Sequence, residues 1–181
     1  QARQDGLSVI SGFFPQDLPD QAVFDVISFH DVFEHLPSPR DAATACFQHL
    51  SPGGHLVLVL PCSRGVLIRL ARLFSRLGFH GPLDRLWQRG FPSPHLTYFH
   101  PAGLAGLLHS HGFREVHRGR LPSFSRKGLW QRLRYDRRSS LVISIVQWLV
   151  LGVLSPLQAL LPSDISFQVF VREPHRPQGG V

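Results

Sequence analysis

A strand–helix–strand pattern in the first third of the chain constrains the fold more than any other feature. The run Phe24–Phe29 predicts a strand, and His55–Leu60 is a continuous apolar run, typical of a strand buried on both faces. A helix is predicted between them, because Asp41 follows a Pro-Ser-Pro turn and apolar residues recur at helical spacing up to Leu50. Such a βαβ unit predicts two parallel strands joined by a right-handed crossover.

Further elements extend this α/β pattern in both directions. Three short apolar runs predict strands at Leu7–Ile10, Phe113–Gly119 and Ser166–Val171. A helix is predicted over residues 101–111, and residues 174–181 are expected to form a disordered tail.

Residues 64–79 predict an amphipathic helix. Arg69, Arg72 and Arg76 share one face of that helix, and the opposite face carries leucine and phenylalanine. A helix of this kind can rest on an anionic membrane surface or cover a hydrophobic acceptor.

Residues 139–163 contain no charged residue and no histidine. The run is long enough to span a bilayer, which needs about 20 apolar residues. Gln147, Pro156 and Gln158 interrupt it, and a predicted strand follows. Three interpretations stay open at this point: a transmembrane helix, a helix at the membrane interface, and a buried helix–turn–helix that covers the sheet.

Charge and cysteine content exclude several classes of protein. The net charge is +7, and 17 of the 19 basic residues follow residue 62, so an anionic membrane surface is an allowed partner. We expect no nucleic-acid partner, because the interleaved aromatic and basic residues of a stacking platform are missing. Two cysteines exclude a disulfide scaffold and a four-cysteine zinc site, and Cys46 lies on the apolar side of its helix, as a core residue would. We expect a cytoplasmic protein that can associate peripherally with a membrane.

Four stretches match, in order and in spacing, a known family pattern. They are Gly12–Pro19, a loop after a strand; Phe24–Pro37, a strand followed by an acidic and histidine-rich turn; Leu50–Leu58, a Leu-x-Pro-Gly-Gly turn into a strand; and His95–Pro101, which leads into a helix. Together they resemble the C-terminal two-thirds of a class I S-adenosylmethionine-dependent methyltransferase of the small-molecule and lipid type.

The resemblance also implies what the chain does not contain. The family's first strand carries a Gly-rich loop that approaches the methionyl end of the cofactor, and an acidic residue after its second strand binds the ribose hydroxyls. No G-x-G-x-G sequence occurs here. We therefore expect a Rossmann-like sheet without its first two strands, in an N-terminally truncated domain over residues 1–173 that binds the cofactor poorly by itself. Residues 64–97 and 122–163 would be helical insertions that form a lid, which can face a membrane.

The resemblance implies two segments that contact S-adenosylmethionine. Ligands of open α/β sheets bind beyond the carboxyl ends of the strands. The first segment consists of Gly12, Phe13 and Phe14, and it would border the adenine. The second consists of Phe29, His30 and Asp31, and it would border the methionyl part and the reaction centre. Core packing is the alternative interpretation of the two phenylalanines in the first segment.

A cluster after the second of these segments could carry proton transfer. His30, Asp31 and His35 are candidates to accept a proton from a substrate hydroxyl, since a histidine titrates near neutral pH. Asp31-x-x-Glu34-His35 also resembles the E-x-x-E-H arrangement of quinone-pathway O-methyltransferases, which has been associated with a metal. Its first acid is one methylene shorter here, and we predict no metal site. In the structural alternative, Glu34 caps the following turn and His35 hydrogen-bonds locally.

His95, Tyr98 and His100 are predicted to line the substrate entrance. The predicted function is transfer of a methyl group from S-adenosylmethionine to a small acceptor of hydrophobic or lipid-like character. The alternative is an inactive methyltransferase-like module that acts at a membrane surface or in protein interactions.

Overall fold

The computed structural model describes residues 3–122, 128–135, 140–154 and 161–174. Its strands form one mixed sheet with the spatial order β1-β2-β4-β3. Strands β1 and β2 pair in parallel, and β4 pairs antiparallel with both β2 and β3. The strands are β1 (Phe24–His30), β2 (Leu50–Pro61), β3 (Phe113–Leu121) and β4 (Ile165–Arg172). The predicted α/β class and the parallel pair are confirmed.

Six helices accompany these strands in the described part of the chain. They are α1 (Pro39–His49), α2 (Val66–Arg76), α3 (Gly81–Leu86), α4 (Pro101–His109), α5 (Leu129–Tyr135) and α6 (Leu141–Leu154). A 3-10 turn, Phe33–His35, follows β1. Helix α1 begins two residues before the predicted Asp41, because the Ser38 side chain accepts a hydrogen bond from the Asp41 backbone N–H at 3.3 Å.

The hydrophobic core lies between the sheet and the two helices α1 and α4. In β2, Leu56, Leu58 and Leu60 are completely or almost completely buried. The helices contribute Ala42, Ala43, Cys46, Leu104 and Leu108. Cys46 is completely buried, so its predicted core role is confirmed, and this burial raises the pKa of its thiol to about 12.

The predicted strand Leu7–Ile10 is wrong. Leu7 is 64% and Ile10 59% exposed, and no described strand pairs with this segment. An isolated strand leaves its backbone groups without a ladder of hydrogen bonds, so an apolar run alone does not form one. No strand in the described residues pairs with the outer edge of β1, and Val26 on β1 is 57% exposed.

Helix α2 packs through a narrower stripe than its sequence suggests. Ile68 and Ala71 are buried, whereas Leu73 and Phe74 on the predicted apolar face are about half exposed. The amphipathic helix is therefore confirmed, and most of its apolar face does not contact the sheet.

The uncharged run is described only in part, as helix α6. Val142 is 70% and Val153 72% exposed, so the buried interpretation is wrong for this helix. No helix in the described residues has the length and the apolar composition that crossing a membrane requires. Residues 155–160 lie outside the described residues, as do residues 175–181 of the predicted tail.

Candidate functional site

The carboxyl end of β1 has an unusual backbone. The Asp31 N–H donates to the Val59 carbonyl at 2.9 Å, which continues the parallel ladder one residue beyond His30. Asp31 has a φ of 52°, a left-handed conformation that is uncommon outside glycine and is most accessible to aspartate and asparagine. Such residues concentrate at functional sites. The side chains of His30 and Asp31 are both exposed at this edge of the sheet.

A chain of aromatic rings joins the two segments predicted to contact the cofactor. Phe14 packs edge-on against Phe29, with ring centroids 5.2 Å apart. Phe29 contacts Phe33 at 5.4 Å, and Phe33 contacts Phe99 at 5.7 Å. Phe29, Phe33 and Phe99 are buried, so these rings belong to the core at the carboxyl end of β1, where His30 and Asp31 are exposed.

The two phenylalanines of the segment Gly12–Phe14 lie in different environments. Phe14 joins the core, whereas Phe13 is 82% exposed and makes no ring contact with Phe29. The Phe13 backbone N–H donates to Asp17 Oδ2 at 2.6 Å. A Cβ at Gly12 would overlap the Asp17 side chain, so this loop closes only with glycine there. Asp17 shapes the predicted adenine-side loop and was not a sequence candidate.

Glu34 is the most unusual titratable group in the site. Its side chain is completely buried, and neither carboxylate oxygen has a hydrogen-bond partner in the described structure. Burial raises the pKa of the Glu34 carboxyl above its ordinary value, and the nearby Asp31 charge raises that pKa further. The predicted capping role is wrong for its side chain. Its backbone carbonyl instead accepts hydrogen bonds from the N–H groups of Leu96 and Thr97, at 2.9 and 3.1 Å.

His35 connects the turn after β1 to a distant loop. Its Nδ1 lies 2.8 Å from the Pro94 carbonyl oxygen and 3.2 Å from Ser93 Oγ. Its ring lies 4.7 Å from that of His95 in an edge-on contact. The hydrogen bond of His35 is therefore long-range, since Pro94 is 59 residues away along the chain. The Pro94 carbonyl oxygen can only accept a hydrogen bond, so this contact requires a proton on Nδ1 of His35.

His95 and Tyr98 lie behind the exposed edge, next to Glu34. His95 Nε2 is 3.9 Å from Glu34 Oε1, and His95 Nδ1 is 3.2 Å from the Tyr98 hydroxyl oxygen. Tyr98 donates its hydroxyl proton to the Leu86 carbonyl at 2.7 Å. Burial lowers the pKa of His95 and raises the pKa of Tyr98 to about 12.

Glu34, His35 and His95 could in geometric terms surround a cation. One ring nitrogen of each histidine and one Glu34 oxygen lie within 4.8 Å of one another. A metal requires the carboxylate form of its acidic ligand and the neutral form of its histidine ligands. Burial lowers the pKa of His95, which suits a ligand, but it raises the pKa of Glu34, which favours the uncharged carboxyl that does not bind a metal. Asp31 is not part of this group, so the resemblance to the E-x-x-E-H arrangement does not carry over to the geometry.

The third predicted substrate residue lies elsewhere. His100 is the N-cap of α4, and its Nδ1 accepts a hydrogen bond from the Ala102 N–H at 3.2 Å. It lines a separate cavity beyond the end of β2 together with Arg64, Arg118 and Arg120. The structure thus brings His95 and Tyr98 together and does not bring His100 to them. Arg64 is far in sequence from Arg118 and Arg120, and no motif links it to them, so their proximity could not be predicted from the sequence.

Comparison with known proteins assigns most of the chain to a protein family. Residues 4–118 match a family model described as a methyltransferase domain. This range includes α1, α4, β1, β2 and the whole candidate site from Gly12 to His100. No curated protein matches the sequence significantly.

Solved structures share the fold at low sequence identity. A candidate sarcosine dimethylglycine methyltransferase from Galdieria sulphuraria aligns over 95% of this chain and 63% of its own length, with 14% identity and a TM-score of 0.57. A methyltransferase from Thermotoga maritima, described as a possible histamine N-methyltransferase, aligns over 95% of this chain and 67% of its own, again with 14% identity and a TM-score of 0.57.

A third structure, that of the (4+2)-cyclase SpnF, aligns over 96% of this chain and 60% of its own length. Its identity is 17% and its TM-score is 0.51. The chain thus spans about two thirds or less of the length of these structures. At this level of identity the likeness shows the Rossmann-like fold.

Proposed function

The chain belongs to the class I S-adenosylmethionine-dependent methyltransferases, and we propose on that premise that it carries part of the site for methyl transfer to a small acceptor. The cofactor of this family is S-adenosylmethionine. The acceptor would be hydrophobic or lipid-like, because exposed apolar helices flank the sheet.

The contact between Phe14 and Phe29 carries this proposal. It joins the loop after residue 11 to the carboxyl end of β1, and these are the two segments expected to contact the cofactor. The left-handed Asp31 at the same edge supports the fit, because its exposed carboxylate would complement the positive charge of the cofactor's methionyl end. Gly12 and Phe14 would border the adenine. Phe13, which is 82% exposed, stays a candidate to contact the adenine as well.

When bound, the cofactor supplies a methyl group on a sulfonium sulfur, which is its own leaving group. The protein contributes alignment, exclusion of water and, for some acceptors, removal of a proton. His30 and Asp31 are the exposed groups at this edge, and we assign proton acceptance to them. His35 is held by the Pro94 carbonyl and the His95 ring, so its role would be to position the turn after β1.

The described residues would supply the adenine-side and methionyl-side segments, and they contain no Gly-rich cofactor loop. A pocket with part of its contacts binds more weakly than a complete one. We therefore expect this chain to bind the cofactor weakly and to have little activity by itself.

Calorimetric titration with S-adenosylmethionine and S-adenosylhomocysteine tests the proposal. Asp31→Asn keeps the left-handed backbone accessible and removes the charge, so it should weaken binding of S-adenosylmethionine about tenfold. Asp20→Asn is the matched control, since Asp20 is an exposed aspartate outside the site. Saturable binding that only Asp31→Asn weakens would support the proposal. Absence of binding for both compounds, or equal weakening in the two variants, would contradict it.

Exposed apolar surface favours a second candidate function, attachment to an anionic membrane. On α2, Leu73 and Phe74 are about half exposed, and Arg72 and Arg76 are exposed on the same helix. Helix α6 exposes most of its valine, leucine and isoleucine side chains. Apolar side chains flanked by arginines are typical of helices that lie in the interface of anionic bilayers.

Flotation with vesicles of phosphatidylcholine, with and without phosphatidylserine, tests this second function. The double substitution Leu73→Gln and Phe74→Gln should abolish flotation with the anionic vesicles. Val116→Gln is the control, because Val116 on β3 is 43% exposed and lies outside both helices. Protein that stays at the bottom with both vesicles, or floats equally in both variants, would exclude membrane attachment through α2.

A further inference from the structure

A cavity rich in arginine lies at the same edge of the sheet as the candidate site. It has a volume of about 530 Å³, is open to solvent, and is lined by the end of β2, the starts of α2, α4 and β4, and the end of β3. Four arginines line it: Arg64, Arg69, Arg118 and Arg120. No sequence motif and no role in methyl transfer accounts for this convergence.

The sheet register explains how distant arginines meet. Arg118 is paired with Gln168 and Arg120 with Ser166, and directly opposed residues of antiparallel strands point to the same face. Ser166 and Gln168 are buried towards α4, since Gln168 Nε2 donates to the Pro101 carbonyl. Both β3 arginines therefore lie on the face that carries α4. The other two come from the loop after β2 and from α2.

The charges around the cavity do not cancel. Glu115 accepts two hydrogen bonds from Arg118, each 2.7 Å long, so this arginine is neutralised. Asp164 Oδ1 accepts from the Leu67 N–H at 2.7 Å. Within the described residues, Arg64, Arg69 and Arg120 have no carboxylate partner. Among the described residues that line the cavity there are four arginines and no carboxylate, which leaves an excess of positive charge.

The number and the origins of these arginines favour a phosphate over a carboxylate. A carboxylate has two oxygens and is matched by one guanidinium, as the pair of Glu115 and Arg118 demonstrates. A phosphate monoester carries about two negative charges and accepts hydrogen bonds around a tetrahedron. Guanidinium groups from a loop, a helix and a strand approach from different directions, and a tetrahedral anion can accept from all of them.

The cavity lies close enough to the candidate site for one small molecule to reach both. β1, β2 and β3 run in the same direction, so their carboxyl ends share one edge of the sheet. The cavity lies around β4 and β3, two to three strand spacings from β1, which amounts to roughly 10–14 Å.

We infer that the cavity lined by Arg64, Arg69 and Arg120 binds the phosphate group of a small molecule. Resting on the proposed function, this inference identifies the methyl acceptor as a phosphorylated compound held by its phosphate while its other end reaches His30 and Asp31. The phosphate could belong to a lipid headgroup, which fits the lipid-like acceptor proposed above, or to a water-soluble metabolite, which would replace that part of the proposal. The recognition chemistry is the same in both.

Calorimetric titration of the chain without cofactor tests the inference, with inorganic phosphate and glycerol 3-phosphate as probes. Arg64→Gln and Arg120→Gln should each weaken binding at least tenfold, because each removes a charge-assisted hydrogen bond. Arg114→Gln is the matched control. Arg114 lies on β3 six residues before Arg120, about 20 Å away, and pairs with Glu173. Thermal unfolding confirms that all three variants are folded.

Vesicles of phosphatidylcholine that contain phosphatidic acid form a second arm. Tight binding of glycerol 3-phosphate, weakened only by the cavity variants, indicates a soluble ligand. Vesicle binding that Arg120→Gln abolishes indicates a lipid headgroup. The inference is overturned if no probe binds in a way that depends on Arg120, or if Arg114→Gln weakens binding equally. Since no titration here uses S-adenosylmethionine, failure of this test is distinct from failure of the proposed methyl transfer.

Discussion

Replacement of Glu34 by glutamine tests the electrostatics of the site most sharply. Glu34 is completely buried, and its carboxylate oxygens have no hydrogen-bond partner within the described residues. Burial raises its pKa in the folded protein above the value of 4.5 that it has when exposed. Glutamine has the same shape and no charge, so the substitution removes the titration and leaves the packing almost unchanged.

The sign of the effect follows from proton counting. Above pH 4.5 the unfolded chain loses the Glu34 proton, while the folded chain keeps it until the raised pKa is reached. In this window the folded state binds one more proton, so the free energy of unfolding falls as the pH rises, by up to about 1.4 kcal/mol per pH unit. In Glu34→Gln the free energy of unfolding does not fall for this reason, because glutamine does not titrate. The variant should therefore become progressively more stable than the parent as the pH rises, and the difference should level off above the folded pKa.

Urea unfolding between about pH 5 and about pH 8 measures this difference. Burial lowers the pKa of His95, which makes stability rise with pH up to 6.5, but His95 is present in both proteins and its contribution largely cancels in the difference. Glu115→Gln is the control. The hydrogen bond from Arg118 lowers the pKa of Glu115, so its stabilisation is complete above 4.5 and is lost only at lower pH.

A difference between Glu34→Gln and the parent that stays constant across this range would refute the reasoning. It would mean that Glu34 ionises in the folded state as it does in the unfolded state. The same slope in Glu115→Gln would also refute it, because the pH dependence would then not belong to burial of Glu34.

Three further predictions concern stability and reactivity. Phe29→Ala removes a buried ring of the aromatic chain and should lower the free energy of unfolding by about 3–5 kcal/mol, whereas Phe13→Ala at an exposed position should change it by less than about 0.5 kcal/mol in the same urea experiment. Gly112 has a φ of +85° and a Cβ there would meet the Phe47 ring, so Gly112→Ala should cost more than about 1 kcal/mol, and an unchanged urea midpoint would contradict this. Cys46 is completely buried, and the pKa of its thiol is raised to about 12. A thiol-specific disulfide reagent, followed by absorbance, should therefore label Cys46 only after unfolding. Rapid labelling of Cys46 in the native protein would contradict its placement in the core.

The local part of the fold could be predicted from the sequence. The parallel pair β1 and β2 with its connecting helix follows from patterns contained in about 37 consecutive residues. The apolar residues of β2 are mostly buried, whereas Val26 on β1 is exposed. Leu7–Ile10 has the same composition as a strand and is not one, because strand formation depends on a neighbour and not on the run itself. For helix α6, an apolar sequence does not say whether another element covers it.

The candidate site could be predicted only where its residues are close in sequence. His30 and Asp31 follow a strand, and the carboxyl-end rule places them at the edge. The contact of Glu34 with His95 joins residues 61 positions apart, and the arginine cavity joins a loop, a helix and a strand. No pattern along the chain encodes such contacts, because they arise from packing and sheet register.

The central claim is that the cofactor binds at the carboxyl end of β1, over the rings of Phe14 and Phe29. Amide chemical-shift mapping by NMR, with S-adenosylhomocysteine added to saturation, measures it most directly. We predict the largest shifts at Phe14, Phe29 and the two residues that follow Phe29. Shifts confined to the opposite edge of the sheet near Arg114, or no saturable shifts at all, would contradict the claim.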